Sequence, residues 1–126
     1  MMIIESISWL SEEAKEAKLV ITDGKYKCIA FSHPCDFQVN EILKWPLRAI
    51  DCINVMRSYE HTVNITPTKK NGLGHKGVGR IIHVQTKLLA VGEILILLNN
   101  LPKDIIDGDF VEFECVRLDV KSYPPK

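Results

Sequence analysis

The sequence predicts an all-β domain, and composition, alternation and punctuation together carry that prediction. Among 126 residues there are 15 Ile and 10 Val against 5 Ala, a bias toward branched side chains that suit a pleated strand better than a helix. Apolar and polar residues alternate over short stretches bounded by turn residues such as Thr22-Asp23-Gly24-Lys25. With 46% hydrophobic and 25% charged residues the chain belongs with globular rather than disordered proteins. Its length suits one domain, read as 1–120 with a flexible tail at 121–126, and excludes a two-domain cofactor enzyme.

In chain order, the first strand is expected over Ile3 to Trp9. Ser11 to Lys18 continues as strand from about Ala14, with a helical turn at Ser11 as the alternative, because its acids come early and its lysines late. Asp23-Gly24 suits a two-residue type I′ hairpin with positive φ at both residues, setting Ile21 opposite Tyr26 and Leu19 opposite Cys28. Further strands are expected over Tyr26 to Phe31, Leu47 to Val55, His61 to Thr66, Val78 to Thr86, Ile94 to Leu98 and Phe110 to Val120. A turn residue followed by an acid recurs at Asn40-Glu41, Gly92-Glu93 and Gly108-Asp109, each time just ahead of a strand-like stretch.

In the last segment Val111, Phe113 and Cys115 alternate with Glu112 and Glu114, after which Val116 and Leu118 take over the apolar phase. Such a slip predicts a β-bulge near Cys115 and Val116, a device that bends strands in small barrels. Over roughly Ala14 to Asp119 the chain resembles a small OB-like barrel. Three stretches carry the resemblance: Val91-Gly92-Glu93-Ile94, Leu101-Pro102-Lys103-Asp104-Ile105 and Asp107-Gly108-Asp109-Phe110-Val111-Glu112-Phe113. It implies a small antiparallel barrel of that architecture, with an SH3-like or other Greek-key barrel as the alternative; no motif is specific to one family.

Sixteen basic and sixteen acidic residues cancel, but the cancellation hides a polarity. Between Glu60 and Glu93 there is no acid, while Lys69, Lys70, Lys76, Arg80 and Lys87 and three of the four histidines fall there. Its focus, Pro67 to Arg80, holds four of the seven glycines and is expected to be a mobile loop between paired strands. Gly72-Leu73-Gly74-His75-Lys76-Gly77 matches the spacing of dinucleotide-binding turns, yet strand residues rather than a helix follow it, so no helix N-terminus is there to hold a phosphate. The loop's use is instead as a binding surface, with Lys69, Lys70, His75, Lys76 and Arg80 as the binding residues. Single-stranded nucleic acid would need aromatic platforms as well. No Phe, Tyr or Trp occurs between Glu60 and Asp109, so Tyr26, Phe31 or Tyr59 would have to approach in the fold.

Other chemistry is thinner. Cys28, His33 and Cys35 lack the second close ligand pair of a structural zinc site, so no metal and no cofactor is expected. Cys35 beside His33 is the one local thiol and imidazole pair suited to nucleophilic catalysis, but no orienting acid or oxyanion hole is recognisable. His61 and His83 flank the basic segment and would face each other in a symmetric hairpin. Asp104, Asp107 and Asp109 read as turn chemistry, and Trp9 and Trp45 as core or rim anchors. The longest apolar run, Ile94 to Leu98, is far too short to cross a bilayer. The N-terminal segment lacks the features of a secretory signal, so a cytoplasmic protein with four reduced thiols is expected. The reading is a non-catalytic binding domain that contacts another protein through an edge strand and the loop. Anion or single-stranded nucleic-acid binding through residues 67–80 is the alternative, and a thiol enzyme at Cys35 a third. Biological process, partner identity and oligomeric state lie beyond the sequence.

Overall fold

In the computed structural model, which describes residues 1–120, the chain is all-β. The expected tail at 121–126 lies outside the described residues. The strands are β1 (Met2–Ser11), β2 (Glu16–Thr22), β3 (Lys27–Ser32), β4 (Ile42–Leu43), β5 (Leu47–Ile50) and β6 (Ile53–Arg57) in the first half. The second half contributes β7 (Asn64–Pro67), β8 (His75–His83), β9 (Leu88–Val91), β10 (Ile94–Leu97), β11 (Phe110–Cys115) and β12 (Arg117–Val120). They form one twelve-stranded sheet in the order β4-β1-β2-β3-β12-β5-β10-β9-β8-β11-β6, with β7 also paired to β8. The sheet does not close on itself. Nor is it purely antiparallel, since β10 with β5 and β12 with β3 are parallel ladders. Among the described residues there is no helix, and so none long and apolar enough to cross a membrane.

Alternation places the core. Ala17, Leu19 and Ile21 of β2, Cys28 and Ala30 of β3, and Val111, Phe113 and Cys115 of β11 all point inward and are buried. Leu89, Val91, Ile94 and Ile96 add a fully enclosed patch from the β9–β10 hairpin, and each such side chain contributes about 1.5–3 kcal/mol by leaving water. The three expected turns before strands occur as read. Asn40, Gly92 and Gly108 all take positive φ (72°, 62° and 93°), and β4, β10 and β11 begin two residues after each.

Four local expectations are corrected. The β2–β3 connection is longer than a two-residue turn, because Ile21 pairs with Cys28 and Leu19 with Ala30. Only Gly24 takes positive φ there, at 98°. The Asp23 side chain explains the wider loop: its Oδ1 accepts from the amides of Lys25 (2.9 Å) and Tyr26 (2.7 Å), replacing strand pairing by an Asx turn. The shift is two residues, so every side chain keeps its expected face. Between β1 and β2 the strand from about Ala14 does not hold and the alternative of a turn at Ser11 is the nearer: Ser11 Oγ accepts from Ala14 N (3.1 Å), Lys15 N donates to the Glu12 carbonyl (3.2 Å), and strand resumes at Glu16.

The expected strand from Leu47 to Val55 and the final strand both break, and they break together. β5 and β6 part at Asp51, whose φ is 52°, while side chains take over the backbone of Cys52: its N–H donates to Asn99 Oδ1 and its carbonyl accepts from Asn100 Nδ2. β11 and β12 part at Val116, which is 61% exposed and donates its N–H to the Ile50 carbonyl (3.0 Å). Since β6 pairs with β11 and β5 with β12, one antiparallel ribbon runs through both corners. The apolar phase does slip near Cys115 and Val116, with Phe113 and Leu118 both buried. Its cause is this corner, and the bulge lies on the partner strand, between Ile53 and Met56, where Asn54 has φ 53°.

The basic segment is less loop-like than expected. β7 and β8 pair up to Pro67 with His75, leaving only 68–74 as the connection, and Gly77 and Gly79 are strand residues under β7 and β9. A Cβ at Gly77 would lie 2.1 Å from the Asn64 carbonyl oxygen. Gly77→Ala should therefore destabilise the fold by about 3 kcal/mol through backbone displacement. Gly24→Val, with nothing within 4 Å of the new Cβ but an unfavourable φ, should cost about 1 to 2 kcal/mol. Urea denaturation of the two variants measures both.

Candidate functional site

The structure divides the five expected binding residues among three environments. Lys69 and Lys70 stand exposed at the tip of 68–74. That tip is held down: Thr68 N donates to the Gly74 carbonyl (2.9 Å) and Gly72 N to the Lys69 carbonyl (2.9 Å). Lys18 Nζ on β2 also donates to the Asn71 carbonyl (2.5 Å). Lys76 and Arg80 share the outer face of β8, about 13 Å apart by strand rise, and alternate with buried Gly77, Gly79 and Ile81.

His75, expected beside the lysines, is instead fully buried, and this corrects its reading as a surface ligand. It sits where β8 meets β3, and both ring nitrogens are engaged. Nε2 accepts from the N–H of Ile29 (3.1 Å), a group that can only donate, so Nδ1 carries the proton and donates it to the Leu73 carbonyl (2.9 Å). Burial pushes the imidazole below its ordinary value of 6.5, outweighing the opposing effect of the Leu73 carbonyl. Protonating Nε2 would set two donors against each other.

Lys76 faces a shallow cleft of about 380 Å³ that also takes in Asn54, Met56, Asn64, Thr66, Glu112 and Glu114. Glu114 lies directly across the ladder from Lys76, so this end of β8 presents both signs of charge. Arg80 faces a second cleft of about 480 Å³, lined chiefly by Tyr26, His61, Val63, Ile82 and Phe110. Phe110 pairs with Arg80 across the β8–β11 ladder, and the Arg80 guanidinium carbon lies 5.9 Å from its ring centre. The His61 ring stacks on Phe110 at 4.7 Å and 9°. Of the three aromatics that would have to approach the basic segment, Tyr26 does. Phe31 instead stacks with His33 beneath Arg117, and Tyr59 is fully exposed. Phe110, thirty residues after Arg80 in sequence, reaches it only through strand pairing, and no local pattern announces that neighbour.

The remaining candidates separate. His83 lies at the end of β8 opposite Leu88, not across from His61. Cys35 is buried after β3 ends, with its N–H bound to the Lys15 carbonyl (2.7 Å), and His33 faces the Phe31 ring. Trp9 and Trp45 are 44% and 41% exposed, which of the two expected places, core or rim, selects the rim. Of the three loop acids only Asp109 acts as turn chemistry, accepting from Ile106 N (3.0 Å) while it also binds Arg57; Asp104 instead pairs with Arg57, and Asp107 accepts from the distant Val84 N (2.8 Å), which corrects the turn reading of those two. Among the described residues no group of three or more His, Cys, Asp or Glu side chains could hold a metal ion. All four cysteines are unpaired and buried, and burial, reinforced by their mutual proximity for Cys28, pushes the Cys28 and Cys115 thiols up to about 12.

No protein family, curated protein or solved structure matches the chain.

Because the folded His75 resists protonation while the unfolded one does not, its stabilising contribution is complete above pH 6.5 and is lost as pH falls below it. His75→Gln should flatten that part of the stability–pH curve measured by denaturant titration. His75→Leu, which strands the Ile29 N–H, should cost about 2 to 3 kcal/mol at neutral pH. Alkylation by iodoacetamide should be slow at all four cysteines in the folded protein at pH 8 and fast in urea, read by mass spectrometry.

Proposed function

We propose that this domain is a non-catalytic binding module that engages an extended segment of another protein along β1, assisted by the lysines of 68–74. The observation that carries the reading is the Lys18 bridge. Lys18 is the β2 residue paired with Ser8 of β1, and it is also the residue that binds the loop at Asn71. Edge strand and basic loop thus adjoin.

Beyond the two residues covered by β4, β1 has no second strand partner among the described residues. Ser6 to Leu10 of that strand carries no charge and no proline, the two devices that ordinarily blunt an edge. Trp9 and Leu10 are 44% and 55% exposed. A partner strand added there would gain backbone hydrogen bonds and apolar contacts, and Lys69 and Lys70 favour a partner with acidic side chains beside that strand. In this reading the open sheet serves as an OB-like scaffold, and the buried, unpaired thiols suit the reducing cytoplasm.

The test begins with a partner purified from native lysate and its affinity measured by titration at low and high salt. Binding should weaken steeply with salt. It should fall at least about tenfold both in Lys69→Glu/Lys70→Glu and in Leu10→Lys, while the thermal midpoint stays nearly unchanged because exposed charges contribute little to folding. A partner that binds both variants like the parent protein refutes the reading.

A further inference from the structure

The cleft around Arg80 is independent of the β1 edge, and from it we infer that the protein has a second site, one that holds a planar aromatic ring bearing a phosphate group, as in a nucleotide. Three features converge on that chemistry. The first is a set of rings supplied from separated parts of the chain: Tyr26 from the β2–β3 loop, His61 from the segment before β7, and Phe110 from β11. Flat π-surfaces grouped around one cleft favour a flat ligand, since stacking is worth more than simple apolar contact.

The second is the cation. Arg80 lies over Phe110 and makes no ion pair among the described residues. The neighbouring Arg57 takes both Asp104 and Asp109, so those acids are already engaged. The Arg80 guanidinium therefore keeps a planar fork of donors for an anion, in the geometry that suits phosphate. The third is that the cleft is built in advance. A Cβ on Gly92 would fall 2.7 Å from the Tyr26 ring, so the ring lies directly on the glycine backbone. Asp23 holds that arrangement by accepting from Tyr26 N through Oδ1 and from Glu93 N through Oδ2 (2.8 Å). A volume of about 480 Å³ lies within the range of small-molecule sites. Ring contacts and one unpaired guanidinium together specify a ligand that is both flat and anionic.

The probes are AMP, adenosine and ribose phosphate, followed by amide NMR and titration calorimetry on the intact chain. AMP should shift the amides of Tyr26, Arg80, Gly92 and Phe110 and bind more tightly than either fragment. Arg80→Met, which keeps the apolar stem, should weaken AMP at least about tenfold and leave adenosine unchanged; Phe110→Leu should weaken both. A short single-stranded oligonucleotide distinguishes the source of the ring. Tighter binding than AMP points to a nucleic-acid end, and equal or weaker binding to a free nucleotide, each within the inferred chemistry. Lys69→Glu/Lys70→Glu should bind AMP like the parent, separating this site from the β1 surface. The inference fails if millimolar AMP leaves those amides unmoved, or if Arg80→Met binds AMP as the parent does.

Discussion

A single side-chain hydrogen bond joins two regions of the sheet that no backbone ladder joins: the N–H of Ile29 on β3 given to Nε2 of His75 on β8. Residues 29 and 31 share one edge of β3. Phe31 meets β12 on that edge, and Ile29 meets an imidazole where a strand would otherwise be required. The part-buried donor is thereby satisfied at a place where the sheet is open. Much else follows from this contact. Leu73 must present its carbonyl to the other ring nitrogen, Nδ1, which anchors the end of the basic connection, and Lys69 and Lys70 are left to project from an anchored loop.

The other organising feature is the kinked ribbon of β5–β6 with β11–β12. Breaking both strands at one level, at Asp51 and Val116, redirects the ribbon there. It also changes which neighbours the ribbon meets. On one side of the corner β11 joins β8, and on the other β12 fills the space between β3 and β5. The mixed parallel and antiparallel ladders are a consequence of that redirection.

What the sequence made legible was local. The turns ahead of strands at Asn40, Gly92 and Gly108 and the slipped apolar phase at Val116 depend on residues a few positions apart, and all are present. The longer reach of the Asp23 carboxylate and the fate of the glycines were hidden, because each depends on a distant partner. Gly77 reads as flexible in a run of glycines and lysines, yet it is glycine because the Asn64 carbonyl passes over it. His75 has the neighbours of a surface residue in sequence and the neighbours of a core residue in space. The Arg80 cleft was illegible for the same reason: the acid-free segment lacks aromatics, and its rings arrive from Tyr26 and Phe110 on either side of it.

The position of β12 bears on how such a chain is made. It is the last of the twelve strands to be synthesised, yet it lies inside the sheet, paired with β3 on one side and β5 on the other. Until it is available, those two strands have unsatisfied edges and Leu118 is missing from the core. Completion of the sheet therefore awaits late residues that must join early ones, a connectivity that slows folding and exposes strand edges meanwhile. A nascent chain of this design keeps one edge of β3 and one of β5 uncovered until β12 emerges.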